Sequence, residues 1–496
     1  MSIDVQDRSV KSHGHFFIGG KWADPSSDAI ITVINSGTEQ PYLRVPEAQG
    51  SDIDSAVESA RAAFDKGPWP RMTHEERATY ISAIADGIDG RREQLARIWT
   101  TESGVVHSLS SAIITGLGNV WRSYASLAST YPFIEQREPS GGKGVGLILR
   151  EPVGVVAAII PWNGPNGLIV HKVAPALLAG CTVILKASPE APGAAYILAE
   201  ICDRIGLPPG VVNVVTADRA VSEHLVRHPG IDKVTFTGST AAGRKIASIC
   251  GERIARCTLE LGGKSAAVIL DDYDVELAAK SIAGLGTLLT GQVCASLTRI
   301  IVSRSRHEAM LEALSDAFGK VRVGDPFAAD TQMGPLAMER QRTRVEDYIA
   351  KGKAEGATLA TGGGRPSHMD CGYYVEPTVF GNVQNDFTIA REEIFGPVLS
   401  VMPADDEAHA IEIANDSIYG LNASVFTNDV DRAFAAAREL RSGTVGHNAF
   451  RNDFGIAFGG FKQSGLGREG GREGLFHFLE TKTVLMDEMP STVKLG

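Results

Sequence analysis

From Val153 onward the sequence settles into a rhythm of short β-branched runs, VGVVAAII, TVILK, VVNVV, KVTF and CTLEL. Most are separated by roughly ten to fifteen helix-like residues, a spacing that predicts an α/β fold with a doubly wound parallel sheet. Such a sheet binds ligands where loops leave the carboxyl ends of its strands, so a cofactor is expected there. A second series begins near Ser265 with SAAVIL, TRIIVS, YYVEPTVF, GPVLSVMP, SVFT and GTVGHN. Its helices are expected at His307 to Phe318, Glu339 to Lys353, Glu407 to Ala414 and Val430 to Leu440. Two α/β units suit a chain of 496 residues, which is too long for one ordinary core.

Ahead of the first series, residues 1–14 are polar and read as a tail, followed by a strand, turn and strand in FFIGGKW. Apolar residues then recur at helical spacing over Asp52 to Phe64, His74 to Thr100 and Ser108 to Thr130, with Pro68, Trp69 and Pro70 breaking the first pair. PSGGKG (139–144) marks a turn-rich excursion. The final run, TKTVLMD, has no obvious local partner and is expected to add to another subunit's sheet.

The net charge of −11 is spread along the chain without a basic stripe, which excludes nucleic acid as an expected partner. The longest apolar run, Val153 to Ile160, is too short to span a bilayer, so no membrane partner is expected. Six cysteines without CxxC spacing predict neither a zinc site nor a disulfide framework, and reduced thiols of a cytoplasmic protein are the simpler reading.

Several phrases carry chemistry. Cys294, in TLLTGQVCASLTR, lies between a helical run and a β-branched run, where a nucleophile can be presented into a cleft; a cysteine in an apolar setting is otherwise an inert small hydrophobe. FTGSTAAG (236–243) follows a strand and opens a helix, so Gly238 lets the backbone approach a phosphate and the helix start at Ser239 favours its charge. Arg244 precedes Lys245 and breaks the Walker A spacing, and GxGxxG is absent from the first strand, which leaves a purely structural glycine turn as the competing reading. Lys186, closing a strand in LKASPE, can donate to ribose hydroxyls or end the strand in solvent. Glu393 can accept from a second ribose with Phe395 as an apolar wall, or EEIFGP is only a turn. Glu260 ends an apolar strand, where partial burial suits a general base that activates water; a capping or ion-paired carboxylate is the alternative. Asn163 in PWNGP can aim its amide at an oxyanion or simply start a turn.

In order, PWN (161–163), LKASPE (185–190), FTGS (236–239), LELGGK (259–264), GQVC (291–294), EEIFGPV (392–398) and FGGFKQSGLGRE (458–469) resemble the NAD(P)-dependent aldehyde dehydrogenase superfamily, from FIGGKW to TKTV. The resemblance implies an aldehyde dehydrogenase-like fold: a Rossmann-type cofactor domain over residues 15–129 and 153–262, an α/β catalytic domain over 263–465, and a small oligomerisation arm from 130–152 and 466–496, in a homodimer or homotetramer. It implies Cys294 as nucleophile, giving a thiohemiacetal whose oxyanion is held by the Asn163 amide and the Cys294 N–H, with hydride leaving for a nicotinamide. Glu260 then activates water against the thioacyl intermediate, while Glu469 and Lys172 match a proton-relay carboxylate and a lysine near that water. For the cofactor it implies Lys186 and Glu393 at the riboses, Gly238 and Ser239 at the pyrophosphate, and contacts from Ile159, Pro161, Trp162, Ser188, Leu261 and Phe395. Pro189 stands where a glutamate often selects NAD, and Glu190 follows; this glutamate can still exclude a 2′-phosphate, so NAD is expected over NADP.

The family's substrate tunnel maps to Gly116, Leu117, Gly164, Leu168, His171, Val293, Phe450 and Phe454. Gly116, Gly164 and His171 stand where bulkier side chains are frequent, which predicts a wide tunnel for an apolar aromatic or terpenoid aldehyde unless neighbours fill the space. Arg451 turned inward would instead favour a carboxylated semialdehyde. Transfer of the acyl group to coenzyme A, and a non-catalytic cofactor-binding protein of the same fold, are the rival readings.

Overall fold

The computed structural model describes residues 13–493. The expected strands of the first series form at Val155–Ile159, Thr182–Ala187, Val212–Thr216, Lys233–Thr237 and Arg256–Glu260, and pair in parallel. Their order across the sheet is 256–260, 233–237, 155–159, 182–187, 212–216, extended by Gly465–Leu466 at one edge and by Phe16–Ile18 with Lys21–Ala23 at the other. The run 155–159 lies between 182–187 and 233–237, so the winding reverses there; this is the switch point at which a doubly wound sheet opens a crevice. The central strands are almost wholly buried because helices cover both faces, which is why they read as continuous Val, Ala and Ile.

The second series folds into a seven-stranded sheet in the order 358–361, 378–381, 398–404, 297–303, 265–269, 422–426, 444–447. All its pairings are parallel except that of 358–361 with 378–381. Of YYVEPTVF only the last three residues are strand, in Thr378–Gly381. The four helices expected here occur at His307–Gly319, Glu339–Ala354, Glu407–Asn415 and Val430–Glu439.

Three expectations are corrected. The helix expected over His74 to Thr100 is two, His74–Asp89 and Arg92–Ser103, parted at Gly90; that over Ser108 to Thr130 is also two, His107–Thr115 and Leu117–Thr130, parted at Gly116. Glycine is the weakest non-proline helix former, and both breaks let the chain turn and pack its halves separately. TKTVLMD does have a partner in its own chain: Leu479–Met486 pairs antiparallel along the whole of Val145–Pro152, which pairs in turn with Ile134–Arg137. That register joins segments more than three hundred residues apart. Residues 1–12 of the expected tail lie outside the described residues. No helix among the described residues is long and apolar enough to cross a membrane.

Candidate active site

Strand register assembles one side of the site. Ile159 stands opposite Lys186 on one flank and Phe236 on the other, and Thr237 stands opposite Glu260. The carboxyl ends of four neighbouring strands therefore present these residues along one edge. Beyond them, the Trp162 carbonyl accepts from Ser103 Oγ at 2.6 Å and the Asn163 carbonyl from Trp99 Nε1 at 2.9 Å, which fixes the PWN turn around Pro161. Ser239 caps the helix Thr240–Glu252 by accepting from the Ala242 N–H at 3.3 Å, and the Gly238 N–H donates to the Glu260 carbonyl at 3.0 Å. Leu261 is buried beside that helix and held by a bond from its N–H to the Ser464 carbonyl at 2.9 Å.

Polar groups suited to a dinucleotide remain under-used along this edge. Among the described residues the buried Lys186 ammonium reaches only the Ala217 carbonyl, at 3.5 Å, and burial lowers its pKa to about 8 against the opposing pull of Glu190 and Asp218. Glu393 accepts from the Gly263 N–H through one oxygen at 3.1 Å, and burial raises its pKa to about 7. Trp162 and Phe395 meet edge to face at 5.5 Å, with Phe395 held at a left-handed φ of 62°. Glu190 accepts from Ser188 Oγ and pairs with Arg340 Nη2 at 2.5 Å. The donors, acceptors, apolar wall and free helix start fit a nicotinamide dinucleotide.

Cys294 arrives differently. The helix Val275–Gly286 ends at Thr287, and Leu289, Thr290 and Gly291 then take three successive left-handed conformations, with φ of 48°, 56° and 71°. For leucine and the β-branched threonine this costs about 1–2 kcal/mol each. Clamps hold the turn. Thr290 Oγ1 donates to the Gly334 carbonyl at 3.0 Å, while Gln292 donates from Nε2 to Leu289 at 2.9 Å and accepts from the Ala337 N–H at 3.0 Å. The Asn163 carboxamide donates to the Gln292 carbonyl at 3.0 Å, which sets the amide beside the Cys294 turn and leaves its second N–H without a partner among the described residues. Two glycines admit the approach: a Cβ on Gly262 would lie 2.3 Å from a Glu393 carboxylate oxygen, and one on Gly263 would lie 2.3 Å from the Cys294 carbonyl. Cys294 is half-buried by surface area, yet its thiol is enclosed enough that burial, with Glu393 and Glu260 adding, pushes its pKa up to about 12.

Glu260 is buried, and neither of its carboxylate oxygens has a partner among the described residues. Burial raises its pKa well above the usual carboxylate range, Glu469 adds to this, and Lys172 and Arg468 oppose it. Lys172 and Glu469 form a fully buried ion pair, and Thr235 Oγ1 accepts from Lys172 at 3.4 Å and donates to Glu469 at 3.5 Å. Glu469 is positioned by its backbone, which exchanges both hydrogen bonds with Phe458 at 2.7 Å. Its second carboxylate oxygen is unpartnered among the described residues.

Next to Cys294, Phe450 and Phe454 pack on a buried cluster of Ala295, Leu421 and Phe458. A Cβ on Gly164 would meet nothing within 4 Å, so this position does leave open space. His171 does not. It stacks on Phe454 with centroids 4.4 Å apart, and its Nδ1 is bonded to the Tyr124 hydroxyl at 3.0 Å, so the room expected at this position is filled by its own contacts. Leu117 is buried, and Leu168 and Val293 are half-buried. Gly116 lies exposed at its helix junction, and Arg451 is exposed. A wide-open surface concavity of about 670 Å³, lined by residues including Arg322, His368 and Glu376, contains none of these side chains and is too open to keep water from a reacting thiol.

Sequence reasoning missed Tyr124, the anchoring role of Gln292, the strained Leu289–Thr290 pair and Arg340. Gln292 had a signal, its place in GQVC; the others act through contacts between distant segments.

A thiol, an orphaned buried carboxylate and an amide thus gather around one crevice beside the strand-end cleft. The model of the aldehyde dehydrogenase family matches residues 22–484. The geranial dehydrogenase of Castellaniella defragrans is 43% identical over 478 residues, 96% of this chain and 99% of that protein. The 3-succinoylsemialdehyde-pyridine dehydrogenase of a Pseudomonas species is 42% identical over 482 residues, with 96% and 99% covered. A crystal structure of a Mycobacterium tuberculosis aldehyde dehydrogenase complexed with NAD+ superposes with a TM-score of 0.93 at 44% identity, covering 97% of this chain and 99% of that one. The chain belongs to the aldehyde dehydrogenase family.

Proposed function

We propose that the protein oxidises a bulky apolar aldehyde, aromatic or terpenoid, to its acid with NAD+ as coenzyme. The observation that carries the reading is the convergence of Cys294, the Asn163 amide and the unpartnered Glu260 carboxyl beside the strand-end cleft. The NAD+ of the mycobacterial relative supports the coenzyme, as does Glu190, whose carboxylate disfavours an added phosphate. Lys186 and Glu393 hold the two riboses, Gly238 and Ser239 the pyrophosphate, and Ile159, Pro161, Trp162, Ser188, Leu261 and Phe395 wall the cleft. The bound dinucleotide supplies the hydride acceptor.

The chain's own groups do the rest. With its pKa near 12, the Cys294 thiol is protonated at rest and must lose its proton as its sulfur adds to the aldehyde carbon. The free Asn163 N–H and the Cys294 N–H stabilise the oxyanion that forms. Loss of hydride leaves a thioester on Cys294, and Glu260 takes a proton from the water that cleaves it. A raised pKa gives Glu260 the basicity this step needs, and the Lys172–Glu469 pair with its free oxygen receives the proton onward. A hydrolytic base so placed disfavours acyl transfer to coenzyme A.

The open space at Gly164 and the aromatic wall of Phe450 and Phe454 support a broad substrate, as do the geranial and pyridine semialdehyde relatives named above. The exposure of Arg451 weighs against a carboxylate reader. The three-stranded arm and the exposed Phe476, Leu485 and Met486 support a homo-oligomer.

The test is formation of reduced nicotinamide by the purified protein with short, semialdehyde, aromatic and terpenoid aldehydes, beside Cys294→Ala. Turnover led by aromatic or terpenoid aldehydes and lost in the variant is expected. Acetaldehyde leading in kcat/KM would sink the broad-tunnel reading, and cofactor binding without any turnover would revive the binding-protein one.

A further inference from the structure

Among the residues assigned to the tunnel, His171 alone has a side chain that carries a polar group. His171 lies on the buried helix Pro165–Ala179, and its face is covered by Phe454, which packs on the same cluster as Cys294. A face-to-face stack leaves the edge of the imidazole free. Burial and the neighbouring Lys172 lower its pKa to about 3, so the ring is neutral and carries a single N–H.

The location of that proton follows from Tyr124. Its hydroxyl is bonded to His171 Nδ1 at 3.0 Å, the one hydrogen-bond partner it has among the described residues. Tyr124 is 2% exposed, so its one hydroxyl proton needs an acceptor, and Nδ1 supplies it. With Nδ1 accepting, the imidazole proton sits on Nε2. Nε2 has no partner among the described residues.

We infer that His171 is a specificity residue: Tyr124 fixes it in the Nε2–H tautomer, and it donates a hydrogen bond to an oxygen or nitrogen acceptor in the substrate's tail. This rests on the tunnel reading above and narrows it, since the preferred substrate is then a bulky aldehyde with an uncharged acceptor, such as a ketone, ether or pyridine, in place of a pure hydrocarbon. A hydrocarbon tail leaves the N–H unpaired, which disfavours it.

The experiment compares kcat/KM for an arylalkyl aldehyde with its aryl-ether and aryl-ketone counterparts of equal length, at two chain lengths. An acceptor-bearing member is expected to lead by about 5- to 10-fold at one length. His171→Phe should erase that lead, His171→Gln should restore part of it through its amide N–H, and Tyr124→Phe should shrink it by releasing the tautomer. No lead at either length, or a lead that survives His171→Phe, overturns the inference. If that variant fails to fold, an unchanged lead in Tyr124→Phe overturns it instead. The broad tunnel itself fails on a separate result, acetaldehyde outrunning every arylalkyl aldehyde. In that case the imidazole is tested through inhibition of acetaldehyde oxidation by arylalkyl ketones and hydrocarbons of equal length, where equal inhibition counts against it.

Discussion

The two sides of the crevice are built by different means. On the cofactor side, Ile159, Lys186, Phe236 and Glu260 hang from neighbouring parallel strands, and the backbone ladder that pairs those strands sets their spacing. On the catalytic side, Cys294 follows a turn of left-handed residues that no ladder supports. It stays in place because Thr290, Gln292, Asn163 and the two glycines of LELGGK hold it. A site carried by strand register tolerates change in single side chains, whereas one held by clamps fails when a clamp is removed.

The sharpest way to separate the two sides is Cys294→Ala. Loss of the nucleophile should lower kcat by 10⁴-fold or more, while NAD+ affinity, measured by calorimetry, should stay within about threefold because Lys186 and Glu393 are untouched. A comparable loss of NAD+ binding would mean that the two sides are one coupled unit. In the wild type, a thiol with a pKa near 12 predicts that alkylation of Cys294 by iodoacetamide, without cofactor, rises about tenfold per pH unit from roughly pH 7 to 10. A plateau below pH 8 would place the pKa far lower.

Glu260→Gln probes a residue that belongs to the register side by position and, in the function proposed above, to the chemistry. Steady-state turnover should fall by about 10²- to 10⁴-fold. A rapid burst of reduced nicotinamide, about one per active site, should precede the stall because only thioester hydrolysis is lost. Absence of a burst would assign Glu260 to the first half of the reaction.

Adjacent glycines test the same divide within one loop. Gly263→Ala pushes on the Cys294 carbonyl and should lower kcat by about 10²-fold with little change in NAD+ affinity. Gly262→Ala pushes on the Glu393 carboxylate and should chiefly weaken NAD+ binding, by about tenfold. Identical phenotypes would show that the loop moves as one body.

The same divide explains what the sequence revealed. The β-branched runs and their spacing located every central strand of both sheets, because burial on both faces imposes a pattern that local sequence carries. The motif residues were legible for a related reason: strand ends and turns have local signatures, and the family resemblance put roles on them. What stayed hidden depends on contacts between distant segments. Nothing near His171 announces that Tyr124 and Phe454 will fill its surroundings, so a residue read as leaving room became a packed wall. TKTVLMD looked unpaired because its partner, Val145–Pro152, lies more than three hundred residues earlier in the chain. Gly90 and Gly116 end helices while Gly87 and Gly118, in the same helical patterns, lie inside them, and only packing decides which glycine a helix carries and which one ends it.

Glu190 gives the smallest and most discriminating test, because it couples the two sides. It sits in the loop after Thr182–Ala187, while its partner Arg340 lies in the first turn of the helix Glu339–Ala354, among the elements of the second series. While the pair is intact, the carboxylate repels a phosphate and occupies the guanidinium. Glu190→Gln removes the repulsion and frees Arg340 to meet a 2′-phosphate, so the NADP+ to NAD+ ratio of kcat/KM should rise by about 5- to 10-fold. Arg340 is largely exposed, which screens the effect and keeps it from being larger. Adding Arg340→Ala should cancel most of the gain. If Glu190→Gln raises the ratio just as much without Arg340, only the lost repulsion matters, and the coenzyme is then selected from the register side alone.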